Sequence, residues 1–99
     1  MTRISVYNHY ETLDLSWPEG HPWTITTVMP DHIAHWECEE ELKQLPEFGN
    51  IYWDNESGQL WAYAPTLEEA KALAEALAEI AKRPPKVEWE NEVIFDIRP

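Results

Sequence analysis

The stretch 66–83, TLEEAKALAEALAEIAKR, limits what this chain can fold into more than any other part of it. Thr66 has the side chain of a helix N-cap, and Glu69, three residues on, completes a capping box. Ala70, Leu73, Ala74, Leu77 and Ala81 recur at helical spacing and form one apolar stripe, flanked by Leu67 and Ile80. Glu68, Lys71, Glu75, Glu79 and Lys82 form the opposite face, and Lys71–Glu75 and Glu79–Arg83 are placed for i,i+4 pairs. Pro84 and Pro85 end the helix. A lone amphipathic helix cannot bury its own stripe, so the flanking segments must supply a second layer.

Their patterns are those of strands. Residues 3–8 alternate around Ile4 and Val6, and 11–17 alternate with Leu13, Leu15 and Trp17 on one face. Asn8, His9 and Tyr10 between them read as a hairpin turn or a bend in one long strand. Residues 23–29 are rich in β-branched side chains. Residues 50–54 and 59–64 read as a hairpin, with Leu60, Ala62 and Ala64 sharing a face. In 86–98, Val87, Trp89, Val93, Phe95 and Ile97 all fall on odd positions, which gives a final strand or a tight hairpin near Asn91. The segment 31–44 reads as a second, shorter helix; its rival is a short strand over 33–37 followed by a helix from Glu39. The expected fold is α+β: a mostly antiparallel sheet of five to six strands, with the 66–83 helix packed on one face. A right-handed crossover through that helix would set 59–64 parallel to 86–98.

With 99 residues the chain is read as a single domain, 1–99. Six Trp, four Tyr and two Phe argue for a packed core in spite of the charge, since disordered acidic chains are poor in aromatics. The opening MTRISVYNHYE lacks the continuous apolar run of a signal peptide, and no stretch has the length of a membrane span. Cys38 is the one cysteine, so no internal disulfide forms. Together these lead to the expectation of a cytoplasmic protein.

Nineteen acids against seven Lys and Arg give a net charge of −12. Such a chain is repelled by nucleic acids and anionic membranes and attracted to basic protein surfaces. The same balance also suits a surface that is merely soluble. Glu88, Glu90, Glu92 and Asp96 share one face if the last strand is continuous. Alternate strand residues lie roughly 6.6 Å apart, close to the spacing of successive phosphates along a nucleic-acid strand, about 6–7 Å. Glu39, Glu40 and Glu41 belong to a second acidic cluster. Trp53 and Trp61 cannot both point inward without straining the alternation of Leu60 and Ala62, so some of Tyr52, Trp61 and Tyr63 lie on the outer face, open to a partner or covered by a second helix. Exposed Trp and Tyr beside acids are the composition of protein-docking hot spots.

His32, His35 and Cys38 have metal-ligand chemistry, but their helical spacing carries Cys38 away from the two histidines, and no second ligand pair follows. No glycine-rich phosphate loop is possible with three glycines, and no nucleophile signature surrounds Cys38. The expectation is therefore a protein without metal, cofactor or enzymatic activity. It would bind a basic, nucleic-acid-binding protein through Glu88, Glu90, Glu92, Asp96, Glu39, Glu40 and Glu41, anchored by Trp61, Tyr63 and Tyr52. Small acidic phage and plasmid proteins of the anti-CRISPR and anti-restriction type act in this way; the likeness is one of size and charge. The alternative is a small assembly module that forms a homodimer through a sheet edge or an aromatic patch.

Overall fold

The computed structural model describes residues 2–13, 16–55 and 58–84. The chain runs β1 (Ile4–Asn8), α1 (His9–Thr12), β2 (Trp23–Thr27), α2 (His35–Leu42), a 3-10 turn (Pro46–Phe48), β3 (Tyr52–Trp53), β4 (Leu60–Ala64) and α3 (Leu67–Ala81). The fold is α+β, with one antiparallel sheet in the order β1-β2-β4-β3.

Register fixes which side chains share a face. Val6, Ile25, Ala62 and Trp53 lie opposite one another across the four strands, and Ile4, Thr27 and Leu60 make the neighbouring row. These face α3. The other side carries Tyr7, Thr24, Tyr63 and Tyr52 in one row and Ser5, Thr26 and Trp61 in the next. Ile25, Leu60, Ala62 and Ala64 from the sheet and Ala70, Leu73, Leu77 and Ile80 from α3 are buried together, with Cys38, Leu42, Phe48 and Met29 extending the core. Small side chains at Ala62, Ala64 and Ala70 let the helix lie close on the strands.

The helix is the one the sequence demands. Thr66 Oγ1 accepts from the Glu69 N–H at 3.1 Å, and the Thr66 hydroxyl in turn donates to Glu69 Oε1 at 2.9 Å. Glu69 thus closes on the cap's hydroxyl, and its other oxygen accepts from Asn50 Nδ2 at 3.3 Å. The buried stripe is Ala70, Leu73, Leu77 and Ile80, so Ile80 belongs to it, while Ala74 and Ala81 are only partly buried. Thr66→Ala should cost about 1 kcal/mol. That corresponds to a fall in Tm of roughly 4–8 °C for a domain of this size, and a thermal melt checks it.

Three expectations are corrected. The sheet has four strands among the described residues; from Glu11 the chain is in α1, not in a second strand. Asn8 is the reason, because its side chain accepts from the N–H groups of Tyr10 and Glu11 and turns the chain into a helix. The partner of β1 is accordingly β2, which follows after a loop. The second helix is shorter than 31–44: Ile33 N–H donates to Pro30 O in a turn and Ala34 is extended, so the helix begins at His35. Arg83 does not pair with Glu79; it crosses to Glu41 on α2, and Lys82 takes Glu79. The strand expected over 86–98, with its crossover, lies outside the described residues. Among the described residues no helix is long and apolar enough to cross a membrane.

Candidate functional site

On the face of the sheet away from α3, one end carries a cluster of rings. Tyr52 and Tyr63 are cross-strand partners on β3 and β4, with ring centroids 6.1 Å apart. Trp17, from the loop between α1 and β2, packs edge-on against both, at 5.4 Å from Tyr52 and 5.9 Å from Tyr63. His21 lies 6.3 Å from Tyr52 on the other flank. Trp17 is 56% exposed and Tyr52 is 42% exposed, while Tyr63 is half-buried. Edge-to-face contacts of this kind add about 0.5–1.5 kcal/mol each beyond the area they bury.

The loop that delivers Trp17 is held from below. His9 is buried beneath the cluster, 5.3 Å from the Tyr63 ring. Its Nε2 lies 2.8 Å from the Trp17 carbonyl, and its Nδ1 lies 2.7 Å from Thr24 Oγ1 on the central strand. A carbonyl only accepts, so Nε2 carries a hydrogen and donates to Trp17; in that tautomer Nδ1 accepts from the Thr24 hydroxyl. Tyr10 OH donates to the Pro18 carbonyl. His21 Nδ1 lies 3.0 Å from the Glu19 carbonyl and its Nε2 lies 2.9 Å from the Asn50 carbonyl, and the nitrogen that carries the hydrogen donates to its carbonyl. The loop is thereby tied to β2 and to the chain entering β3.

Two of the expected anchors, Tyr52 and Tyr63, stand together in this cluster. Trp61 lies in the adjacent row of the same face, half-buried, and its backbone N–H donates to Asn55 Oδ1 at 3.2 Å. Trp17, His9 and His21 escape a reading based on alternation, which puts Trp17 on a strand. The Asn8 cap signal and the prolines at 18 and 22, which mark a loop, are the features that would have placed them.

The acids of α2 are less available than their sequence suggests. Glu39 Oε1 accepts from Asn55 Nδ2 at 2.7 Å, Glu40 pairs with Lys43 at 2.9 Å, and Glu41 takes both Arg83 amino groups, at 2.8 and 2.7 Å. The Arg83 guanidinium holds the Glu41 carboxyl below its ordinary range. Glu88, Glu90, Glu92 and Asp96 lie outside the described residues, so the structure does not place the row they would form.

A cleft of about 320 Å³ opens between α2 and the end of α3, lined in part by His32, Cys38, Glu41, Ile80 and Arg83. His32 Nε2 is held by the Arg83 carbonyl at 2.8 Å. His35 instead accepts from the Met29 N–H at 3.2 Å, and burial lowers its pKa. The two imidazoles thus serve different backbone partners, and among the described residues no group of three or more His, Cys, Asp and Glu side chains is arranged to hold a metal ion. Burial, reinforced by Glu41 and Glu37, pushes the Cys38 thiol up to about 11.

That shift has a direction that can be tested. The folded thiol keeps its proton up to about 11, whereas an unfolded one loses it near 9.0. Stability is therefore full below the unfolded value and declines as the pH rises between the two. At about pH 8 the folded thiol should react with an aromatic disulfide roughly 100-fold more slowly than the denatured chain, from thiolate fraction alone. Equal rates in the two states would show that Cys38 is neither buried nor shifted.

No family model, characterised protein or solved structure matches this chain.

Proposed function

We propose that this chain is a non-enzymatic binding protein that engages a basic, nucleic-acid-binding protein surface, in the manner of the anti-CRISPR and anti-restriction class. The observation that carries this reading is how the charges are arranged. The chain has a net charge of −12, and Lys43, Lys82 and Arg83 are each engaged by a neighbouring carboxylate. Each such pair sets one carboxylate against one cation, so the net charge of −12 is left whole to attract a basic partner. The Glu88, Glu90, Glu92 and Asp96 row would supply the groove-filling carboxylates, and the aromatic cluster a desolvated anchor. Long-range attraction would set the association rate and the rings the dissociation rate.

The test is binding to a panel of basic nucleic-acid-binding proteins at two salt concentrations, with duplex DNA as competitor. Affinity should fall by at least about tenfold between roughly 50 and 300 mM salt, and the duplex should displace the chain. Affinity that is independent of salt would remove the electrostatic mechanism.

A further inference from the structure

We infer that the Trp17–Tyr52–Tyr63 cluster is an arginine-docking site, in which the guanidinium of a basic partner stacks on the exposed ring of Trp17. This rests on the reading that the partner is basic, and adds to it the place and the chemistry of contact.

The cluster is preorganised. Its rings stand on adjacent strands and on a loop fastened through His9 to Thr24 and through His21 to Asn50. A side chain docking there has little ordering left to do. Trp17 remains 56% exposed although two tyrosines pack on it, so a large part of an indole stays open to solvent. An indole face is the strongest aromatic partner for a cation.

The surroundings favour a guanidinium. Glu19 is exposed on the loop that carries Trp17 and His21. Glu69 is already engaged by Thr66 and Asn50 at the start of α3, leaving Glu19 as the acceptor here. A planar guanidinium can lie flat on an aromatic face while its edge donates to carboxylates. A lysine ammonium is a compact, strongly hydrated charge and cannot do both. The −12 charge of the chain brings the cation to the surface, and the cluster selects which cation stays.

The experiment compares two synthetic peptides of equal length and charge, one built on arginine and glycine, the other on lysine and glycine. Each is titrated into the wild-type chain, Trp17→Ala, Tyr52→Ala and Trp17→Phe. Wild type should bind the arginine peptide about tenfold more tightly, with the Trp17 indole N–H resonance moving during the titration. Trp17→Ala and Tyr52→Ala should abolish that preference by weakening the arginine peptide to the level of the lysine peptide, and Trp17→Phe should recover part of it. Both changed side chains stand at the surface, and unaltered amide spectra away from the cluster will show that the fold is intact. If both peptides bind with salt dependence but equally, and the alanine variants change nothing, the docking site is refuted and the electrostatic reading stands. If neither peptide binds, both are refuted.

Discussion

Leu77→Asp should abolish folding. Leu77 has no exposed surface; it lies in the buried stripe of α3, in one core with Ile25, Leu60 and Ala62 of the sheet. Removing a buried leucine costs about 2–5 kcal/mol even when alanine replaces it. The aspartate adds the cost of a carboxyl placed among apolar groups with no donor to meet it, several kcal/mol more. A domain of this size has a stability of about 5–15 kcal/mol, so the sum removes most or all of it. Circular dichroism should show loss of cooperative melting. Leu73→Asp should behave alike, and Leu77→Ala should give a folded but less stable protein. Glu75→Gln, on the exposed face of the same helix, should stay within about 0.5 kcal/mol of wild type. A wild-type melting curve for Leu77→Asp would mean that α3 is not packed on the sheet, and the architecture would fall with it.

The features that make Leu77 decisive were legible because several levels of signal agree there. Thr66 and Glu69 mark the start of α3, the leucines and alanines its buried side, and Pro84 its end. Strand β4 reads as clearly, with Leu60, Ala62 and Ala64 buried and Trp61 and Tyr63 turned away. Other segments failed for identifiable reasons. Strand β2 is central, and both its faces are covered, so Thr24 and Thr26 are buried along with Ile25. Their hydroxyls are satisfied by His9 and by the Leu60 carbonyl, contacts that no local pattern reveals. The alternation over 11–17 imitates a strand, but the Asn8 cap draws Glu11 and Thr12 into α1. Arg83 could satisfy helix spacing with Glu79, yet a bidentate partner on another element was the better geometry.

The aromatic site shows the same limit. Tyr52 and Tyr63 follow from hairpin alternation, because cross-strand pairing is local. Trp17 and His9 reach them through a loop whose course depends on tertiary contacts. What the sequence makes plain is composition, many rings and many acids; the structure adds which rings meet. Glu39, Glu40 and Glu41 illustrate the opposite case, an acidic run whose members each have a partner within the fold.

His9→Ala should be the most damaging change on the outer side of the sheet, at about 2–4 kcal/mol in chemical denaturation. Three losses combine. The imidazole fills space between the rings of Tyr10 and Tyr63, at 5.1 and 5.3 Å, and alanine leaves a cavity there. Thr24 Oγ1, on a residue only 1% exposed, loses its imidazole partner. The Trp17 carbonyl loses the donor that fixes the loop. Thr24→Val removes the threonine side of the same hydrogen bond at nearly constant volume, and should cost about 1–2 kcal/mol. Because the two side chains touch, the double variant should be less destabilised than the sum of the singles, by about 0.5 kcal/mol or more. The consequence for binding follows from the same contacts. With His9 gone, Trp17 is no longer held against Tyr52 and Tyr63, so the preference for arginine over lysine should shrink in His9→Ala although every ring of the cluster is present. A variant that melts within about 0.5 kcal/mol of wild type and keeps its arginine preference would show that the ring of His9 does not hold the loop.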